Sequence, residues 1–287
     1  MPSPTISVIV PTLNAGDSLQ LCLDSVYAQT YPNVELVVID GKSSDDTVPI
    51  IRANQDRLAY WESSADTGVY HATNKGIDHA KGDWIICLGA DDYLLQPDVL
   101  QRMSDHLAAA YPTHTLVLGK VALIDTKGQF VKEFGGAPWA RVKKLAYTNW
   151  VFHSQAAFHH RTIFERRGKY DESFRLAADL DLNLREALLN DPVNVDITVS
   201  AFCRGGLSTS PENILVLLRE IRRARLKNGL VGAKEHVGGT YLTYSVYRIL
   251  RPICGKKLAA RASHASLSLA RKVRLHKVFG SKTGVFD

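Results

Sequence analysis

Only four cysteines occur in 287 residues (Cys22, Cys87, Cys203 and Cys254), and no two of them form a CxxC pair. Their wide spacing argues against a zinc ribbon and offers no disulfide framework, so a reducing compartment is expected. No apolar run approaches the roughly 20 residues of a membrane span, and the opening MPSPTISVIVPT lacks the basic and apolar stretches of a secretory signal. A cytoplasmic location is the expectation. Internal repeats and low-complexity tracts are also missing, which removes repeat arrays and flexible linkers from consideration. With 45% hydrophobic and 22% charged residues, the chain folds as one large domain plus an appendage, or as two domains.

The net charge of +6 is unevenly placed. Residues 240–287 hold ten Lys/Arg and one acid, Asp287, while 25 Lys/Arg and 28 acids precede them, leaving a body near −3 and a tail near +9. Such asymmetry points to an anionic partner for the tail, either nucleic acid or a lipid surface.

Residues 6–10 (ISVIV) read as a buried strand that ends at Pro11 and a turn at Asn14-Ala15-Gly16. Leu19, Leu23 and Val26 then recur at helical spacing before Pro32. VELVVID (34–40) is a second strand, followed by GKSSDD and a helix from Thr47. LAYWES (58–63) gives a third strand, 68–81 a helix, and DWIICLGA (83–90) a fourth strand. Continuous apolar strands alternating with helices predict a doubly wound, mostly parallel sheet covered on both faces. After a helix over 97–110, LVLGKVALID and QFVKEF form an antiparallel hairpin. Helices near 161–167 and 176–190, a strand at 193–202 and a basic helical region after Pro211 complete the chain.

Ligands of such sheets bind beyond the carboxyl ends of the strands, which here carry Thr12 and Asn14, Asp40, and Asp91 with Asp92. Adjacent carboxylates at the end of an apolar strand repel one another and are costly to desolvate, so a cation is their natural partner. Mg²⁺ or Mn²⁺ suits the pair, since either is held by one or two carboxylates with phosphate oxygens and water completing its shell. Asp40 ends a different strand. Capping of the next helix falls to Ser44 or Asp45, which leaves Asp40 for a ligand such as a nucleobase edge.

ISVIVPTLNAGDSLQLCLDSV, VVIDGKSSDDT and SSADTGVYHATNKGIDHAKGDWIICLGADD, in that order, resemble the motifs of family 2 glycosyltransferases, with their nucleotide-sugar-binding GT-A fold. The resemblance spans roughly 4–210 and is strongest to bacterial enzymes of exopolysaccharide, colanic acid and lipopolysaccharide assembly. It implies a GT-A domain over 1–210, with a nucleotide-binding half (1–95) and an antiparallel acceptor half (96–210), followed by a basic helical region at 211–287. It implies that Pro11, Thr12 and Asn14 line the nucleoside site, Asp40 hydrogen-bonds the base, Asp91 contacts the ribose and Asp92 ligates Mg²⁺ or Mn²⁺. Asp66 and Lys75 belong to the motif that closes around the nucleotide-sugar, with the Lys75 ammonium offsetting diphosphate charge. FHSQAAFHHRTIFERRGKYDESFRLAADLDLNLR is similar to the acceptor-side segment, where Asp179 matches the catalytic base. Asp181 lies about 200° further around the helix and is placed to pair with Arg185 at i,i+4.

The sequence departs from the family pattern in three places. Ser64-Ala65 stands where many relatives have Glu-Pro, His71 where they have Asp, and His153-Ser154-Gln155 is one residue longer than the usual His-Gln pair. Gly205-Gly206-Leu207-Ser208 resembles the GGxS loop that folds over the phosphates. The expected activity is inverting, metal-dependent transfer from a UDP- or GDP-linked sugar to a hydroxyl of a lipid-linked or oligosaccharide acceptor. The tail, which interleaves apolar and basic residues, is expected on the anionic inner face of the cell membrane rather than on nucleic acid, with a helical cap packed on the main domain as the rival. A nucleotidyltransferase is the rival on a related sheet, but the PTLNAGDS loop carries no Lys or Arg. A non-enzymatic nucleic-acid-binding protein would have no use for Asp40, Asp91 and Asp92 at strand ends.

Overall fold

The structure is a computed structural model that describes residues 3–125, 127–146, 152–203, 206 and 213–230. Four strands, β1 (Ile6–Thr12), β2 (Val34–Asp40), β3 (Tyr60–Ser63) and β4 (Trp84–Cys87), pair in parallel in the order β3-β2-β1-β4. Between them run α1 (Leu19–Tyr27), α2 (Thr47–Asn54) and α3 (Val69–His79).

Successive residues of a strand point to opposite faces, and both faces are covered. Val8, Val10, Val38 and Ile86 pack with Leu19, Leu23 and Ile51 of α1 and α2. Ile9, Val37, Ile39 and Ile85 pack with Ala72 and Ile77 of α3. This two-sided burial explains why the strands read as unbroken apolar runs; each such side chain contributes about 1.5–3 kcal/mol.

The second half contributes β5 (Tyr93–Leu94), α4 (Val99–Ala110), β6 (Leu116–Ile124), β7 (Phe130–Phe134), α5 (Trp139–Ala146), β8 (Ala157–His160), α6 (Thr162–Arg167), α7 (Ala178–Ala187), β9 (Val193–Cys203) and α8 (Ile214–Lys227). β8 inserts between β4 and β6 and is antiparallel to both. β7 forms the expected hairpin with β6, while β6 and β9 run parallel and β5 closes the order antiparallel to β9. α4 joins the core on the first face, and α6, α7 and α8 lie on the second.

Two strands are shorter than their patterns suggest: the third starts at Tyr60, and the fourth runs from Trp84 to Cys87, so that Leu88–Ala90 lie beyond it. β8, β5 and α5 have no counterpart in the sequence reading. Of the basic region after Pro211, α8 is described; the tail from 231 onward lies outside the described residues, as does all of the GGxS-like loop except Gly206. Among the described residues no helix is long and apolar enough to cross a membrane.

Candidate active site

Register brings Thr12, Asp40 and Ser63 side by side at the carboxyl ends of β1, β2 and β3. The loops that follow are joined to one another. Asn14, in the left-handed region at φ 49° that Asn tolerates, gives its N–H to Ser43 Oγ (2.7 Å) and accepts from the Ser44 N–H (3.0 Å). Gly16 donates to Asp45 Oδ2 at 2.9 Å.

Asp40 is fully buried, and where the sequence leaves it for a ligand, it already has partners in the neighbouring loops. Its carboxylate accepts from the Ser43 N–H (3.0 Å), the Ser43 hydroxyl and the Ser63 hydroxyl (2.6 Å). The turn at Lys42, with φ 66°, folds Ser43 back onto the strand end. Lys75 likewise has partners, Glu62 at 3.0 Å and the Ser64 hydroxyl at 2.7 Å. Neither Asp40 nor Lys75 lines the two cavities at this edge.

The first cavity, of about 630 Å³, is lined by Pro11, Thr12, Asn14, Asp66, His71 and Asp91 among others. Thr12 Oγ1 is buried there without a hydrogen-bond partner among the described residues. Asp66 accepts from the Gly68 N–H at 2.9 Å, which fixes the turn into α3.

The second cavity, of about 440 Å³, brings together Asp91, Asp92 and Asp179, which start far apart in sequence. Burial pushes the Asp92 carboxyl well above the usual range, and the neighbouring Asp91 raises it further. Opposing this, Asp92 accepts from the Cys203 N–H (3.0 Å) and from Gln155. Burial also raises Asp91. The thiols of Cys22 and Cys203 are pushed up chiefly by burial and then by both carboxylates, Cys203 to about 11. Negative charge is therefore uncompensated at this spot: neither Asp91 nor Asp92 forms an ion pair among the described residues.

Gly89 shapes this pair. A Cβ there would stand 2.8 Å from Asp91 Oδ1 and 2.8 Å from Asp92 Oδ2. Oxygens of both carboxylates thus converge on one point that only glycine leaves open. Among the described residues no group of three or more His, Cys, Asp and Glu converges as a metal site. A pair fits Mg²⁺ or Mn²⁺, because phosphate oxygens and water supply the remaining ligands. Gly206 lies against the same carboxylate, since a Cβ there would be 2.4 Å from Asp91 Oδ2.

Asp179 sits in the first turn of α7, 6% exposed. Burial raises its carboxyl, opposed by hydrogen bonds from the Leu180 backbone, Tyr70 and Ser154. The Tyr70 hydroxyl donates to Oδ1 at 3.0 Å, and Tyr70 stacks on Tyr170 with centroids 5.5 Å apart. Tyr70 and Ser154 were not singled out from sequence. Tyr70 sits inside the DTGVYH motif, and Ser154 is the extra residue of the His-Ser-Gln segment, which holds Asp179 through Ser154 and Asp92 through Gln155. Asp181 is buried and pairs with Arg185 at 3.1 Å, as its spacing predicts, and also with Lys227 at 2.9 Å. His153 is neutral, its ring pushed down to about 4 by burial. His159 is held by Asn183 at 2.7 Å inside the core.

An open α/β sheet with carboxylates gathered at this edge is the GT-A arrangement. The fold matches that of S. aureus TarS in complex with UDP-GlcNAc, with a TM-score of 0.62 and 16% identity over 99% of this chain and 95% of that one. It also matches the mannosyltransferase PcManGT from Pyrobaculum calidifontis in complex with GDP-Man and Mn²⁺, with a TM-score of 0.62 and 20% identity over 96% and 81% of the two chains.

The chain belongs to glycosyltransferase family 2 and is a glycosyltransferase: the profile described as Glycosyl transferase family 2 matches residues 7–174. It is 37% identical over 188 residues to a PGL/p-HBAD biosynthesis glycosyltransferase of Mycobacterium bovis (strain BCG / Pasteur 1173P2), covering 64% of this chain and 70% of that protein. It is 30% identical over 189 residues to the succinoglycan biosynthesis protein ExoO of Rhizobium meliloti (strain 1021), covering 61% and 53%.

Proposed function

We propose that this glycosyltransferase moves a sugar, with inversion, from a UDP- or GDP-linked donor to a hydroxyl of a lipid-linked or oligosaccharide acceptor in bacterial cell-surface polysaccharide synthesis. The observation that carries this reading is the convergence of Asp91, Asp92 and Asp179 on one cavity that adjoins another lined by Thr12, Asn14 and Asp66. The donors named for TarS and PcManGT support the nucleotide-sugar class. The biosynthetic roles named for the mycobacterial and rhizobial relatives support a cell-surface glycan product.

In this reading the nucleoside lies against Pro11, with Thr12 Oγ1 free to bond it and Asp66 fixing the adjacent turn. A base N–H reaches Asp40 by taking the place of the Ser43 hydroxyl, and Asn14 holds the loop that carries Ser43. Asp91 contacts the ribose at the meeting of the two cavities. Lys75 stays outside this assignment, because Glu62 and Ser64 already hold its ammonium.

Asp92, with Asp91 beside it, would hold Mg²⁺ or Mn²⁺. When bound, the ion supplies positive charge to the diphosphate leaving group. Asp179 takes the proton of the acceptor hydroxyl as its oxygen bonds the anomeric carbon, while the bond to the diphosphate breaks and its electron pair leaves with the phosphate. A carboxyl raised by burial is a stronger base, and the hydrogen bonds from Tyr70 and Ser154 orient it and favour its ionised form. The basic residues beyond 231 are assigned to the anionic inner surface of the membrane, where a lipid-linked acceptor would be met.

Thermal melting with UDP, GDP, CMP and dTDP, each with and without Mn²⁺, tests the reading. A metal-dependent rise for UDP or GDP is expected. Equal, metal-independent rises for all four would contradict it.

A further inference from the structure

Five acidic residues line the two cavities (Asp66, Asp91, Asp92, Asp179 and Glu172), and among the described residues Arg175 is the only lysine or arginine that does. Arg175 lines both. It is exposed, and its guanidinium makes no hydrogen bond or ion pair to another described residue. The residues common to both cavities are few: Pro11, Val69, Tyr70, Gly89, Asp91 and Arg175. A donor whose nucleoside occupies the first cavity and whose sugar faces Asp179 must carry its diphosphate past this junction.

The segment bearing Arg175 is braced by α8. One carboxylate, that of Glu220, accepts three successive N–H groups: Arg175 (2.8 Å), Leu176 (2.7 Å) and Ala177 (3.1 Å). These amides precede α7 and have no partners within that helix. On the other side the Arg223 guanidinium lies 4.2 Å over the Phe174 ring and donates to the Ser173 carbonyl at 3.1 Å. Backbone on both sides of Arg175 is thus fixed, while among the described residues its guanidinium has no hydrogen-bond or ion-pair partner.

We propose that Arg175 is the cationic contact for the donor's diphosphate, presented at the junction of the two cavities by the Glu220 brace. The proposal rests on the donor reading above. A guanidinium binds phosphate oxygens through two parallel N–H groups, which an ammonium cannot do. Glu220 acts through Arg175 as a positioning residue.

Calorimetric titration of the full chain with UDP and GDP, and with UMP and GMP, each in EDTA and in Mn²⁺, tests this. Arg175→Ala should weaken diphosphate binding about tenfold, equivalent to about 1.4 kcal/mol, with and without Mn²⁺, and pull the diphosphate-to-monophosphate affinity ratio toward one. Arg175→Lys should recover part of the loss. Glu220→Gln should show a smaller loss in the same ratio with the rank order of nucleotides unchanged. Diphosphate affinity in Arg175→Ala within twofold of wild type would overturn the proposal and leave the donor reading standing. Wild-type protein that binds no nucleoside diphosphate would overturn the donor reading itself, and this proposal with it.

Discussion

Tyr70 and Asp179, 109 residues apart in the chain, share a hydrogen bond of 3.0 Å that joins the first turn of α3 to the first turn of α7. The nucleotide half thereby reaches across to hold the side chain assigned as base. Burial and the nearby Asp179 charge push the Tyr70 phenol well above its usual value, so it remains a donor throughout the working pH range.

Tyr70→Phe tests that link. The bond favours ionised Asp179, so its loss raises the carboxyl further. Activity requires the ionised base and falls as pH drops through that value. The acidic limb of the pH–rate profile should move upward, with nucleotide affinity within twofold of wild type. An unmoved limb would refute the link.

Asp179→Asn removes the proton acceptor but keeps the shape of the side chain. Turnover should fall about 10²–10⁴-fold, while calorimetry returns an unchanged affinity for the nucleoside diphosphate. Wild-type turnover would remove Asp179 from the mechanism.

Asp92 makes a prediction about stability. Its carboxyl is raised in the folded state, so the fold favours the protonated form. That contribution is full below the unfolded carboxylate value and is lost as pH rises through the folded one. At pH 8 without metal, Asp92→Asn should therefore melt higher than wild type, about 2–4 °C for each kcal/mol regained. It should also lose the additional stabilisation by Mn²⁺ with nucleotide. A lower melting temperature for the metal-free variant would contradict the electrostatic picture.

Gly206→Ala places a methyl group where only 2.4 Å separates the Cβ position from Asp91 Oδ2. Asp91 must turn aside, and kcat/KM should fall about tenfold to a hundredfold with little change in melting temperature. Unaltered kinetics would show that the Asp91 position is not critical.

The parallel half of the fold was legible because β1, β2 and β4 bury both faces and show it as apolar runs. β8 was not: AFHH is four residues long and holds two histidines, and it becomes a strand because β4 and β6 flank it with backbone partners. The acidic pair and Asp179 were visible through motif order. The partners of Asp40 and Lys75 were not, since one depends on a turn at positive φ and the other on β3 lying beside α3. Arg185 could be paired with Asp181 from i,i+4 spacing, whereas Lys227, in a later helix, could not.

Anomalous scattering from Mn²⁺ in crystals grown with UDP or GDP would test most directly whether the carboxylates beyond β4 grip a cation against the leaving group. A single strong peak should appear within coordination distance of Asp92, bridged to the diphosphate, with Asp179 facing the same space. A nucleotide bound elsewhere, or a peak remote from Asp91 and Asp92, would contradict the assignment.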